Sequence, residues 1–389
     1  MTRVLIVGGG ALGTICALLA ARRGFAVDIV ERETELWSGA SVANEGKVHL
    51  GPVFALAEPS THDIMMRAAL AFSDVIEEAL DATVDWSAYV GDPFEYLVMP
   101  GSLASPEELR SVYRSINDRM GERRRYLGDF IDLVVDPTIG RDPSTGLPVF
   151  RTLERAVNPR SLGRLLVGAL RADDLITVRA GVAVERLTPR DDGRVDVTMS
   201  GVGVETVDYV INCAWEQQQS LIPASSATSR LNYRLKTAVR LTSNRGARTV
   251  TLVQGPFGDV VRHDDHVYAS WYPIARLSNE YGVGPSAAAL SLQRSAASQL
   301  AQGEQQVAAL RDIGVLSEDE HIEEVLSGFI VGHGALDIDS RSSLLHSRSE
   351  FGIHRVGSIL SPVTFKLTTA PLAAREAVGV LSSLAGVRR

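Results

Sequence analysis

Residues 4–13 read VLIVGGGALG: an apolar run ending in Gly8, Gly10 and Gly13 at GxGxxG spacing, followed at once by an alanine-rich stretch of helical character. The next apolar run, AVDIVE (residues 26–31), closes on Glu31, eighteen residues after Gly13. Strand, glycine turn, helix, second strand and acid in this order form the pattern that grips a dinucleotide. Gly8 permits the tight strand-to-helix turn, Gly10 lets a pyrophosphate approach the backbone, and Gly13 lets helix and strand pack closely. The helix that opens at Ala11 and Leu12 offers free N–H groups and the positive end of its dipole to phosphates. Glu31 is placed to accept hydrogen bonds from a ribose diol.

The 389 residues suffice for two domains with real cores, and 45% hydrophobic with 22% charged residues is ordinary globular composition. A net charge of −8 argues against a nucleic-acid partner. The basic run Arg123–Arg125 falls in a stretch that reads as helical, so a solvated helix face is expected there. Cys16 and Cys213 sit in buried-looking elements and read as reduced core residues of a cytoplasmic protein. A core strand starting at Arg3 or Val4 leaves no room for a secretory signal, and no apolar run reaches membrane-spanning length.

Further along, residues 38–51, SGASVANEGKVHLG, are small, polar and glycine-bearing and read as a functional loop. Helices are expected over 62–82, after the capping box Ser105-Pro106-Glu107-Glu108, after Asn158-Pro159, from Gly284 to near Gly314, and over 369–384. Strands are expected at 176–179, 182–187, 195–199, 206–213 and, discontinuously, from 233 to 273 and in the tail. The first and last parts of the chain fit one dinucleotide domain. The expected organisation is therefore a discontinuous nucleotide domain (1–85, 152–225 and 326–389) and a second domain around an antiparallel sheet (86–151 and 226–325).

Between NAD and FAD, four features favour FAD. The stretch after Glu31-Arg32 is long enough for an extended cofactor. Ser41 and Asn44 supply polar groups where a flavin would lie. The apolar strand ending at Asn212–Trp215 can close over the adenosine side. Lys366 stands beside a helix N-terminus capped by Thr368 or Thr369, a cationic setting suited to an electron-rich reduced flavin.

With these residues in view, the chain resembles the FAD-dependent oxidoreductases of the D-amino-acid oxidase and glycine oxidase superfamily. VLIVGGGALG…VERE resembles the family's opening, and ASVANEGKVHLG is similar to the AS-x-x-N-x-G-x-x-H-x-G flavin loop of L-2-hydroxyglutarate oxidase-like members. GSILSPVTFKLTTAP resembles the C-terminal flavin-contact segment, and AVNPRSLGRLL and RAGVAVERL resemble further family segments. The resemblance implies an α/β fold: a glutathione-reductase-type, Rossmann-like FAD domain with an α+β substrate domain. It also implies cofactor contacts from Arg32, Gly46, Val182, Ala214 and Leu367 beside the residues named above. Trp215 and Phe365 stand where the family usually has glycine.

For the chemistry, the resemblance puts His49 near the flavin ring, as a base, a covalent tether or a loop histidine bonded to backbone. Lys47 is a candidate donor to flavin or substrate, with a surface lysine as the plain alternative. Arg240, in an apolar strand, is a candidate for a substrate carboxylate or a structural ion pair. Tyr268, Ser270 and Tyr272 share one strand face by period-two alternation, and Tyr272 is taken as a pocket residue. His263-Asp264-Asp265-His266 reads as a polar hairpin turn, and no metal site is expected; His333, between two glycines, is a weaker pocket candidate. The expected activity is removal of a hydride from a CH–NH or CH–OH carbon of a small polar metabolite. The absence of a late G-D-A segment weighs against the rival NAD(P)H-dependent flavin monooxygenase, and that of a second GxGxxG against a pyridine-nucleotide-disulfide reductase; a non-catalytic FAD-binding protein is the other rival.

Overall fold

The computed structural model describes residues 2–226, 230–242, 246–348 and 350–387. β1 (Arg3–Val7) is uniformly apolar after its first residue. It turns at Gly8 into α1 (Ala11–Arg22), and β2 (Ala26–Glu31) returns beside it in parallel. Gly8 has φ +95°, the left-handed region that glycine adopts without strain. Among the described residues, six strands form one sheet, in the spatial order Ile176–Ala180, β2, β1, Tyr209–Asn212, Ile359–Val363 and Gly352–Val356. The first five run parallel and the last antiparallel. Three separated stretches of sequence therefore build this sheet.

Alternation sets its two faces. Val4, Ile6, Val27 and Ile29 pack with α1 and the helices Pro59–Leu80, Pro159–Arg171 and Ala370–Leu384. Leu5, Val7, Val30 and Val210 pack against Val184, Leu187, Val195 and Val197 of a three-stranded antiparallel sheet. Burying one Leu or Val side chain contributes about 1.5–3 kcal/mol, so this two-faced core fixes the sheet that carries the glycine turn. Asn158 caps the helix Pro159–Arg171 by accepting from the Arg160 and Ser161 amides, and the Ser105–Glu108 capping box is formed in full. Cys16 and Cys213 are buried free thiols with Sγ atoms 4.0 Å apart.

A second, mostly antiparallel sheet runs through Arg276–Gly282, Leu231–Thr242, His266–Trp271, Gly258–Arg262, Val250–Val253, Glu95–Val98, Pro148–Arg151 and Gly140–Arg141, with Ile322–Gly332 on the other edge of Leu231–Thr242. Because Ile322–Gly332 lies wholly in this sheet, a domain boundary at 325/326 would cut a strand; we propose that the second domain extends to Gly332. Arg123–Arg125 is not helical. The helix Pro106–Met120 ends before it, Arg124–Tyr126 forms a hairpin with Asp129–Ile131, and Arg125 pairs with Asp74 and Glu77. Residues 263–265 form a hairpin turn, closed by the His263 amide on the His266 carbonyl.

Candidate functional site

A cavity of about 560 Å³ runs from the carboxyl ends of β1 and β2, past the glycine turn, to the seam with the second sheet. Gly8, Gly10, Ala11, Leu12, Glu31 and Arg32 line one end. Gly13 lies behind the wall: a Cβ there would stand 1.9 Å from the Gly8 carbonyl oxygen, so its lack of a side chain lets α1 pack on the turn. A Cβ on Gly10 would stand 2.8 Å from Ser41 Oγ, which itself accepts the Ala11 amide at 2.9 Å. Glu31 accepts the Gly9 amide at 2.6 Å and the Glu33 amide at 2.9 Å. It thus braces the turn, and each oxygen keeps a second lone pair for a diol. Arg32 pairs with Glu216 at 2.7 Å.

Ser41, Asn44, Glu45, Lys47 and His49 bring the 38–51 loop to the middle of the cavity. Asn44 is spent on the loop: its amide donates to the Ala40 and Ser41 carbonyls and its oxygen accepts the Gly46 amide. Gly46 does not line the cavity; at φ +75° it packs where a Cβ would meet the Val157 carbonyl at 2.0 Å. Thr368 is likewise behind the wall, accepting from the His49 amide at 2.9 Å and donating to the Lys47 carbonyl at 3.1 Å. It ties the loop to the start of the helix Ala370–Leu384, whose approach carries Lys366 and Leu367 into the cavity. Val182 and Ala214 also line it, the Val182 amide donating to the Glu31 carbonyl. Trp215, at φ +50°, takes a left-handed conformation that explains why glycine suits this position; its indole N–H donates to the Phe329 carbonyl at 2.8 Å and pins the strand of the second sheet.

Three candidate catalytic residues offer no free side chain to the cavity, Arg240 taking the ion-pair alternative given for it. Lys47 reaches the cavity wall, but its ammonium is bound to Asp259 at 2.8 Å and to Thr251, over the Phe94 ring. A buried ammonium so engaged acts as an anchor for the loop. Arg240 lies past the cavity on an outer stretch of its strand and pairs with Glu323 at 3.1 Å and Glu324 at 3.6 Å. Tyr272 falls outside the alternation because its strand ends at Trp271. Its hydroxyl donates to Asp337 at 2.6 Å and accepts from Arg234 at 3.2 Å, away from the cavity wall.

His49 is in the wall, 2% exposed, with neither ring nitrogen hydrogen-bonded and Glu45 at 3.6 Å. Burial, with Lys366 and Lys47 adding to it against the pull of Glu45, holds its imidazole down at about 3. Burial alone would push the Glu45 carboxyl up, but Lys366, then His49 and Lys47, hold it well below the usual range. Burial lowers the Lys366 ammonium to about 8, partly offset by Glu45 at 3.9 Å. Both His49 and His263 are held at about 3, below the ordinary histidine value of 6.5. Such groups favour the folded chain fully above pH 6.5, and that stability is lost as pH falls toward about 3. Melting temperature is accordingly expected to fall across this window, less steeply in His49→Gln; an unchanged slope would contradict the assignment.

Sequence reasoning missed Lys236, Arg234, Glu45 and Arg348. Lys236 lines the cavity beside Tyr268 and donates to Ser270 Oγ at 2.9 Å. Arg234, two residues away on the same strand face, is 2% exposed. Arg348 is buried with its guanidinium against the rings of Phe54 and Phe365, and its Nη1 donates to the Leu345 and Ser347 carbonyls. The signal for the first two is present in the sequence: alternate cations inside an otherwise apolar strand, the same pattern that singles out Arg240. His333 is held off the cavity by Glu350 at 2.9 Å and stacks edge-on against Phe365.

A glycine turn braced by an acid, with a cationic helix start converging on the same cavity, defines a dinucleotide-dependent redox protein. The unbonded His49 nitrogens and the cradle that a Gly10 side chain would fill fit an extended flavin dinucleotide. Residues 3–323 match the family model described as FAD dependent oxidoreductase, so the chain belongs to that family and is an FAD-dependent oxidoreductase. Its fold is similar to that of glycine oxidase from Geobacillus kaustophilus (16% identity, 100% of this chain and 96% of that one, TM-score 0.67). It is also similar to iminodiacetate oxidase from Chelativorans sp. BNC1 (18%, 98% and 95%, TM-score 0.65) and to L-proline dehydrogenase from P. horikoshii (12%, 100% and 94%, TM-score 0.64). No curated protein matches the chain significantly. No described helix is long and apolar enough to cross a membrane.

Proposed function

We propose that this chain oxidises a small amino compound bearing a carboxylate, removing a hydride from the carbon next to nitrogen. The observation that carries this reading is the charge at the inner end of the cavity. Lys366 faces it, and Arg234 and Arg348 are buried behind the lining, Arg348 near enough to help depress the Lys366 ammonium, with Asp337 at 3.6 Å from Arg234 as the only acid in ion-pair range of either arginine among the described residues. Buried cations in such excess favour an anionic ligand. In this reading Arg234 and Arg348 take the carboxylate role first considered for Arg240.

FAD, when bound, supplies the acceptor for the hydride. Gly8, Gly10, Ala11 and Leu12 would hold its diphosphate, Glu31 its ribose, and Ser41, Ala214, Lys366 and Leu367 the remainder. Lys366 and the N-terminus of Ala370–Leu384 supply positive potential for the charge the ring gains on reduction. Val182 and Trp215 close the adenosine side. The carbon adjacent to a hydroxyl is the alternative donor; the oxygen-inserting and non-catalytic readings are outcomes of the same test.

The test is anaerobic mixing of the yellow holoprotein, separately, with glycine, iminodiacetate, L-proline, 2-hydroxyglutarate and NADPH. Bleaching by an amino acid supports the proposal. Bleaching by the hydroxy acid alone moves the donor to CH–OH, and reduction only by NADPH supports a monooxygenase. Bound FAD that none of these reduces contradicts an oxidase or dehydrogenase acting on this class. Arg348→Met is expected to weaken binding of the reactive amino acid by about 1.5–3 kcal/mol, read as a rise of about 10- to 150-fold in its half-saturation with bleaching otherwise intact.

A further inference from the structure

One half-buried lysine on the cavity wall has no task in the chemistry so far. Lys236 sits on the strand Leu231–Thr242 opposite Gly328 of the neighbouring strand, which has no side chain to set beside it. Its ammonium end reaches Ser270 Oγ at 2.9 Å, and Tyr268 stands beside it in the wall. No carboxylate among the described residues lies within ion-pair distance. The charged groups around it come from every element packed on it: Arg234 on its own strand, Arg276 across the pair on Arg276–Gly282, Asp259 on Gly258–Arg262, and Glu45 and Lys47 from the loop. Asp259 is committed to Lys47 at 2.8 Å, Arg276 to Asp337, and Glu45 faces Lys366 at 3.9 Å.

Resting on the amine reading just given, we propose that Lys236 is the base that takes the proton from the substrate's ammonium. An α-amino acid in water carries –NH3⁺, whose nitrogen has no lone pair to assist departure of the neighbouring hydride. The step transfers one proton: R–CH–NH3⁺ and the neutral Lys236 amine give R–CH–NH2 and the Lys236 ammonium, with Ser270 Oγ holding the nitrogen in place. No electrons move in it. The hydride then leaves a carbon bearing a free amine, and the product is the iminium. The setting favours a lysine that waits neutral: burial first, then Arg234 and Lys47, push its ammonium down, against Asp259 and Glu45. The buried guanidiniums keep the carboxylate role, so the two ends of one amino acid meet different chemistry.

Two measurements decide it. The first needs no turnover: trace acetylation of the holoprotein with acetic anhydride across pH, followed by peptide mass spectrometry, reads the titration of Lys236 itself. A midpoint below the ordinary lysine value is expected, and a midpoint at or above it overturns the proposal whether or not any amine reacts. The second is anaerobic bleaching by glycine, or by the amino acid that reacts best, in Lys236→Met and Lys236→Arg. Both are expected to keep full FAD content and lose about 100-fold or more in reduction rate at neutral pH, with the rise of rate with pH displaced upward. Methylamine is expected to restore part of the rate in Lys236→Ala. If Lys236→Arg retains the wild-type rate and profile, the group serves as a cation that anchors carboxylate, and the base assignment fails. If Lys236 titrates low yet no amine bleaches the flavin, the amine reading fails and the lysine's task as amine base fails with it, whereas a normal titration with intact bleaching sinks the lysine alone.

Discussion

Gly13→Ala is expected to empty the cofactor site. The added Cβ would stand 1.9 Å from the Gly8 carbonyl oxygen and 3.0 Å from its carbon, both backbone atoms of the phosphate turn. No rotamer relieves a backbone clash, so α1 must move off β1 or the turn must open. Overpacking of this kind costs about 3 kcal/mol or more, and the distortion falls on the amides offered to the diphosphate. The measurement is the ratio of flavin to protein absorbance, with the melting temperature as a second readout. Gly168→Ala is the control: it lies within the helix Pro159–Arg171 with nothing within 4 Å of the added methyl, and is expected to stabilise by about 0.5–1 kcal/mol. Wild-type flavin content in Gly13→Ala would remove this turn from the binding site.

Lys366→Met is expected to leave FAD bound and make it harder to reduce. Lys366 lines the cavity at the start of the helix Ala370–Leu384, and among the described acids Glu45 is its ion-pair partner, at 3.9 Å. Removing the ammonium takes away positive potential where the reduced ring gains charge. A loss of about 1.4 kcal/mol corresponds to about 30 mV of two-electron potential, and the potential should fall by at least that much. Glu45 also loses its chief counter-charge. An equilibrium reduction against a dye of known potential reads the shift. An unchanged potential would place Lys366 away from the ring.

How much of this is visible in the residues follows their range of action. The glycine turn, Glu31, the Ser105 capping box and the Asn158 cap are local devices, each complete within a few residues, and they appear where the sequence puts them. Elements that depend on partners elsewhere are harder to read. Residues 206–213 look like one apolar strand, yet Gly203–Val207 joins the three-stranded sheet and Tyr209–Asn212 the parallel one, the chain changing sheets at Asp208, which accepts the Arg3 amide at 2.9 Å. Ile359–Val363 is a strand although it carries Pro362, which has no amide to donate to a ladder. Tyr272 obeys the alternation of its strand only if the strand continues, and it stops one residue earlier. Arg240 and Lys236 look alike in sequence; strand position alone sets one among surface acids and the other on the cavity wall.

The central claim, that the glycine turn and the Lys366 segment hold one flavin dinucleotide between them, is tested most directly by titrating flavin-depleted protein with FAD while following the flavin absorbance bands, with NAD as competitor. Saturation at one FAD per chain, lost in Gly13→Ala and unaffected by NAD, is the predicted result. Displacement of FAD by NAD, or undiminished binding in Gly13→Ala, would contradict it.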